Sequence, residues 1–493
     1  VNSEIVFALD SMPLNRNIHW PADYDARFIG EAVLRTMFAE TADGALRPGS
    51  ALAAERLGAG QRWRVTLDAT ATWSDGRPLT VEHALASVRT ILDRPRSALA
   101  RLLYADAPEE PAVRRGTDTV EYRFARPVSY LPSLLTLPQF APSRAADEDG
   151  PANAPAPVLG PYEISGHTPD EIRMHLRDDV DDGGHGRRHP RRLRFRVYGS
   201  ARQALDALAR GEVDVSPITS FTAADVAACE GRSGFVSRGI SLFGSLEFGA
   251  RCGLADRPDL RRTLGLALDR ERIAERCPGL VIPFLHQTAP WSAPTAPLSP
   301  AVPTRQETEA LRRALGTAFD IPYADFAPNG TVVQAVCDQL RDLFGITAEP
   351  RPLSYRAYVR TAVSQDHSLL YTLTTADFPH PAALLAPWRS DGAAARRAGL
   401  ADEVLDGLLD AASEETGPAA QSACWEAADR RLTDLMPRIP LLQVRAHCLR
   451  SPRLTGTELN SGGLLDFGRL VLHPDAGTPH VSPGPERFEE APV

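Results

Sequence analysis

The residues of this 493-residue chain that could do chemistry are few, and the most suggestive follow an apolar run. Ser368–Thr375, SLLYTLTT, reads as a buried strand, and Ala376-Asp377-Phe378-Pro379-His380-Pro381 is its exit. The two prolines keep the backbone after Asp377 extended, because the residue before a proline is held out of the helical region. A carboxylate delivered there could pair with a ligand ammonium if enclosed, since a desolvated charge needs a partner. It could equally cap the turn after the strand. His380 is the only group near Asp377 with which it could form an acid–base pair.

Other candidates fall away on spacing. The acidic run Asp178-Asp179-Val180-Asp181-Asp182-Gly183-Gly184-His185 lacks the calcium-loop register and its trailing glutamate, and reads as a solvated loop. Arg187–Arg196, RRHPRRLRFR, is a basic stripe balanced by those acids, and reads as a charged loop feeding a strand. The formal net charge of -9 argues against a general nucleic-acid binder. Gly239-Ile240-Ser241-Leu242-Phe243 misses the last glycine of a nucleophile elbow. No HExxH occurs and the 12 histidines are scattered, so neither metal nor cofactor is expected. All basic side chains other than histidine are arginine, which excludes lysine Schiff-base and Walker-type chemistry and matches the codon bias of a GC-rich genome. The six cysteines form no CxxC pair and read as small buried thiols, although a long-range pairing stays open.

The elements that must position these residues alternate strand and helix. Glu4–Leu9 is an opening strand, and Arg27–Glu40 an amphipathic helix with Ile29, Val33, Leu34 and Met37 on one face. Arg62–Leu67, RWRVTL, alternates as a half-buried strand. Ser74-Asp75-Gly76 turns the chain, and Thr80 caps a helix carrying Leu85, Val88, Ile91 and Leu92. Further strands lie at Thr119–Pro127 and Arg191–Tyr198. Helices lie at Ala201–Arg210, at Asp259–Ile273 as a pair, and at Val332–Phe344, the first and last closed by Gly211 and Gly345. Asp147–Pro157 and Trp291–Pro303 read as loops, and the tail from Gly477 as disordered. No apolar run is long enough to span a bilayer. The length exceeds a single core.

In order and spacing these elements resemble the family 5 extracellular solute-binding proteins, the peptide- and nickel-binding receptors of ABC importers. Trp73, Asp75, Gly76, Pro78 and Thr80 match its W-x-DG-x-P-x-T-x-x-D-V signature, with His83 where an acid is usual, a change expected to vary only the helix cap. Leu159-Gly160-Pro161-Tyr162, the Leu205–Asp214 stretch, Asp259–Ile273 and Leu432–Gln443 resemble further family elements. The resemblance implies an α/β fold, a two-lobed periplasmic-binding-protein-like clamshell of the large three-domain form. Domain I would comprise residues 1–42, 153–242 and 446–476. Domain II, 43–152, would be an appendage packed on it, and domain III, 243–445, the second lobe. The Arg62–Ile91 landmark would then sit away from the cleft.

The same resemblance implies a receptor, not an enzyme, closing by hinge motion on a short peptide or related amino compound. Asp377 matches the acid that captures the ligand's α-amino group in the motif W-x-AD-Y-x-x-P. Thr374 stands in place of the tryptophan, and His380 in place of a frequent acid, which points to a more polar pocket. Thr374, Thr375 and Phe378 would hold an extended ligand backbone, with Trp20, Tyr24, Phe243 and Trp388 as candidate cleft aromatics. The chain is expected to be a monomer, without nucleic-acid partners. Because it opens on Val1, two settings stay open: an extracytoplasmic receptor with its leader removed, serving an ABC permease, or a cytoplasmic relative recruited as a biosynthetic enzyme or sensor.

Overall fold

The computed structural model describes residues 3–15, 17–94, 97–103, 110–144, 157–180, 189–289 and 301–473. The expected loops around 147–157 and 291–303 fall largely outside these residues, as do the acidic run from Asp181 and the tail. Among the described residues the chain folds around three larger sheets. The strand Glu4–Leu9 pairs in parallel with Arg192–Val197, which continues antiparallel through Glu171–Leu176 to Tyr162–Thr168. Phe7, Phe28, Phe195 and Phe467 meet ring to ring in the core on one face of this sheet.

The second sheet has the order Ala51–Leu57, Arg62–Leu67, Thr119–Arg123, Ala112–Arg114. Its alternation is the one the sequence announces: Trp63, Val65 and Leu67 are buried, while Arg62 and Arg64 are exposed. Helix Val81–Leu92 lays Ala84, Val88 and Ile91 onto it. His83 closes a capping box, its Nδ1 accepting the Thr80 backbone N–H at 3.0 Å and the Trp73 indole N–H at 3.2 Å. The imidazole thus does the work of the usual acid.

In the third sheet Leu369–Thr375, Phe235–Phe248, Arg438–Leu449 and Val281–Pro283 lie side by side. The parallel pair Ala318–Ala324 and Thr347–Leu353 packs beyond Leu369–Thr375. The two long strands span both lobes. Ile240, Ala446 and Cys448 enter the core of the first sheet, whereas Leu246, Ile439 and Leu441 enter that of the third. Their pairing slips between Gly239 and Phe243, between those two halves. Such an irregularity bends and twists a ribbon. It is where two lobes joined by these strands would flex.

One expectation needs correction. The helix expected over Arg27–Glu40 runs from Tyr24 to Val33, capped by Asp23, whose side chain accepts the Ala26 N–H at 2.7 Å. The apolar period continues to Met37, but Leu34 is extended, and Met37 and Phe38 enter the core of the second sheet instead. The tertiary core overrides the local period here. The core of the second sheet runs on into Ala382, Leu385, Trp388, Leu409, Trp425 and Leu432. Arg126 pairs with Asp391 at 2.6 Å, and Arg56 donates to the carbonyls of Ser413, Glu414 and Glu415 across the same contact. The Asp259–Ile273 segment forms the expected helix pair, parted at Leu268, with Asp269 capping the second helix. All six cysteines are free; five are buried and Cys424 is half-buried.

Candidate functional site

A cavity of about 1740 Å³ opens between the lobes. Its walls come from the helix Tyr24–Val33, the loop around Asn460–Asp466, the strand Leu369–Thr375 and its exit, and the segment Phe326–Asn329. The strand exit is anchored at one point: the Ala376 N–H donates to the Ser241 carbonyl at 2.8 Å. Ser241 in turn gives its N–H and Oγ to the Ser461 carbonyl, at 2.7 and 2.9 Å. One long strand thereby locks segments of both lobes to the cavity floor.

Asp377 sits at this junction. Its side chain is open to the cavity and makes no hydrogen bond or ion pair with any described residue. Enclosure by surrounding protein pushes its carboxyl pKa above the ordinary value, and the charge of Arg27 opposes that rise. Such a carboxylate has unspent capacity for a cation.

The period of the strand decides which neighbours face the cavity. Tyr371, Leu373 and Thr375 line it. Thr374 points to the opposite face, paired across the ladder with Phe243. A threonine at that position therefore does not make the cavity wall more polar. Phe243 itself is buried against Phe284, with ring centroids 4.8 Å apart. Phe378 lines the cavity while stacking on Tyr130, 5.7 Å away with an interplanar angle of 9°.

His380 turns away from the cavity. Its ring stacks on Tyr130 at 5.0 Å, meets Trp425 edge-on at 5.3 Å, and its Nδ1 accepts the Ala382 N–H at 3.2 Å. Burial drives its pKa down to about 3, so the ring is neutral at pH 7. No hydrogen bond joins it to Asp377, so the acid–base pair considered from sequence is not formed.

Of the remaining aromatics only Tyr24 reaches the cavity; its hydroxyl donates to the Gly463 carbonyl at 2.5 Å. Trp20 lies under the Arg94 guanidinium, 4.3 Å from its ring centroid. Trp388 is buried beneath Arg438 at 5.7 Å. Both are packing residues, and a lone aromatic in sequence does not distinguish packing from lining.

The sequence reading missed much of the opposite wall. Arg27 and Glu31 form an i,i+4 pair at 2.7 Å on the helix Tyr24–Val33. Glu40 accepts from the Ser461 hydroxyl at 2.9 Å, and its pKa is raised by burial. Arg35 pairs with Asp68 at 2.9 Å, and Arg47 with Asp466. Asp68 and Thr70–Thr72 bring the Arg62–Ile91 landmark to the cavity rim, contrary to its expected remoteness. Only the Arg27–Glu31 spacing could have been read beforehand, and nothing in it points to a cavity. Among the described residues no three histidine, cysteine or acidic side chains converge as a metal site, and no helix is long and apolar enough to cross a membrane.

The profile of the bacterial extracellular solute-binding proteins, family 5 Middle, matches residues 45–396. No curated protein sequence matches significantly. Solved structures do. OppA of Haemophilus influenzae in complex with RPPGFSPFR aligns with a TM-score of 0.78 at 16% identity, over 96% of this chain and 99% of that one. The Escherichia coli murein tripeptide binding protein MppA aligns at 0.77 and 16% identity, over 95% and 98%. AgaA from A. tumefaciens R10, in complex with agropinic acid, aligns at 0.76 and 19% identity, over 95% and 98%. At these identities the likeness is one of fold.

Proposed function

The chain belongs to the family 5 bacterial extracellular solute-binding proteins, and from that membership we propose that it captures a short peptide or related amino compound for an ABC importer. The observation that carries this reading is the cation-ready carboxylate of Asp377, unpartnered among the described residues and open to a cavity walled by both lobes. The ligand's ammonium pairs with Asp377, and Thr375, Phe378 and Tyr24 line its path. Closure of the lobes about the paired long strands then buries it, since binding energy is gained only in the form where both walls touch the ligand.

In this reading residues 1–42, 153–242 and 446–476 form one lobe and 243–445 the other. The part at 43–152 bridges them through Arg126 and Tyr130. The protein acts outside the cytoplasm as a monomeric receptor rather than as an enzyme. The likeness to OppA in complex with RPPGFSPFR, to the murein tripeptide binding protein MppA and to AgaA in complex with agropinic acid supports an amino compound as ligand.

Titration calorimetry of a short peptide such as tri-alanine against wild type and Asp377→Ala tests the anchor. A charge-assisted hydrogen bond contributes about 1.5–3 kcal/mol, so the variant should bind roughly ten- to a hundredfold more weakly. Equal affinity would remove Asp377 from the site.

A further inference from the structure

The aromatic side chains of this chain are buried or half-buried, with two exceptions among the described residues. Phe326 is 49% exposed and Tyr355 62%, and both line the cavity between the lobes. A large ring left in water is unfavourable, although a single one on an outer surface needs no explanation. Two of them on the wall of a ligand cavity do.

Strand register places them side by side. Ala318–Ala324 and Thr347–Leu353 run parallel, with Ala324 opposite Leu353 as the last pair. The Asp325 N–H donates to the Leu353 carbonyl at 3.0 Å, which holds the two segments together one step further. Phe326 and Tyr355 each stand two residues beyond that pair, at the carboxyl ends of neighbouring parallel strands, where open α/β sheets bind ligands. Both backbones are pinned. The Phe326 N–H donates to the Ala324 carbonyl at 2.9 Å, and the Phe326 carbonyl accepts the Asn329 N–H at 3.0 Å. The Asn329 side-chain amide also donates to the Ala324 carbonyl, at 3.0 Å. Tyr355 opens the helix Tyr355–Ser364 and stacks on Tyr358, with ring centroids 6.3 Å apart at an interplanar angle of 27°. That helix buries none of its residues, so the Tyr355 ring is not engaged in holding it to the protein.

The chemistry of this wall selects its occupant. Phe326–Asn329, Tyr355, Tyr358 and Leu373 line the cavity here without a charged side chain; the neighbouring Asp325 and Arg356 are exposed but do not line it. Such a wall offers no counter-charge to an ammonium or a carboxylate. It offers ring faces and edges, and a pair of aromatic rings gains more than the area it buries. We propose that Phe326, Tyr355 and Tyr358 form an aromatic subsite of the cleft, which takes an uncharged aromatic side chain of the ligand. Backbone contacts hold Phe326 and Tyr355 in place before the ligand arrives, so binding requires little ordering there. The subsite presupposes the receptor reading and adds a side-chain class to it, independently of Asp377.

Titration calorimetry compares tri-alanine with the tripeptides in which one alanine, at each position in turn, is replaced by phenylalanine, leucine or arginine. At one position the phenylalanine peptide should bind wild type at least about tenfold more tightly than tri-alanine. It should also bind roughly two- to tenfold more tightly than its leucine counterpart, and more tightly than its arginine counterpart. Tyr355→Leu and Phe326→Leu keep an apolar side chain and remove the ring, and each should bring the phenylalanine-to-leucine ratio down to about one, whereas Tyr355→Phe should keep it. Both leucine variants alter exposed side chains, and cooperative melting of the ligand-free protein shows that they fold. Equal binding of the phenylalanine and leucine peptides to wild type, tightest binding of an arginine peptide, or a ratio that survives both leucine variants overturns the subsite. The receptor reading survives each of these results, because tripeptides still bind. If no tripeptide binds wild type, the subsite falls together with the short-peptide reading.

Discussion

Replacing His447 by phenylalanine should stabilise the ligand-free protein, and by more as the pH is lowered. The imidazole lies on the long strand Arg438–Leu449, at 1% exposure, stacked on Phe235 with an interplanar angle of 2° and tilted against Phe221 at 5.3 Å. Both ring nitrogens are buried without a hydrogen-bond partner among the described residues. Burial lowers the pKa from 6.5 to about 4, with Arg445 adding to the effect. The unfolded chain therefore takes up a proton below about pH 6.5, while the folded chain resists until about pH 4. Stability from this site is fully present above pH 6.5 and is lost progressively as the pH falls through that window.

At pH 5 the difference between the two protonation equilibria amounts to about 2 kcal/mol, approaching about 3 kcal/mol near pH 4, at 1.36 kcal/mol per pKa unit. A phenylalanine in the same slot does not titrate, and it also relieves unsatisfied nitrogens that cost about 1–3 kcal/mol. Urea unfolding of wild type and His447→Phe at pH 8, 6.5, 5 and 4.5 measures both effects. The variant should be the more stable throughout, with a gap that widens by about 2 kcal/mol between pH 8 and pH 5. A constant gap, or a less stable variant at pH 5, refutes the reasoning about this ring.

Three further outcomes follow from other sites. Asp377→Asn should raise the melting temperature of the ligand-free protein at pH 7, with a gain that shrinks as the pH falls through the raised carboxyl pKa, because the folded state then favours the protonated form; scanning calorimetry across pH 4–8 reads this. Tyr130→Ala removes the ring that stacks on both Phe378 and His380, and should cost about 3–5 kcal/mol in urea unfolding. Tyr130→Phe should stay within about 1 kcal/mol, since no hydrogen bond of the phenol to a described residue is lost. His83→Ala should cost about 1 kcal/mol through the lost cap, and His83→Glu should restore most of it, as judged by the urea midpoint.

Local periodicity and turn chemistry made most of the fold legible. Trp63, Val65 and Leu67 alternate as the strand requires, and Gly345 ends its helix in the left-handed conformation with φ of 62°. Legibility failed where a distant core outweighed the local pattern, as at Met37, whose helical spacing continues past the point where the chain turns into another sheet. A cavity-lining acid was legible at Asp377, where an apolar strand ends in an acid followed by Pro379 and Pro381. The facing wall was not legible. Glu40 meets Ser461, which Ser241 holds in turn, across hundreds of residues of chain, and no spacing along the chain records that. Strand parity decided the fate of Thr374 against Thr375, and a one-residue slip would have exchanged them.

The central claim is that this cleft holds an amino compound by its ammonium group at Asp377. Native mass spectrometry of the protein purified from its own host tests it most directly. The account predicts one small compound with a basic nitrogen bound per chain in the wild type, and its loss from Asp377→Ala prepared in the same way. A bound compound without a basic nitrogen, or one retained undiminished by the variant, would contradict it.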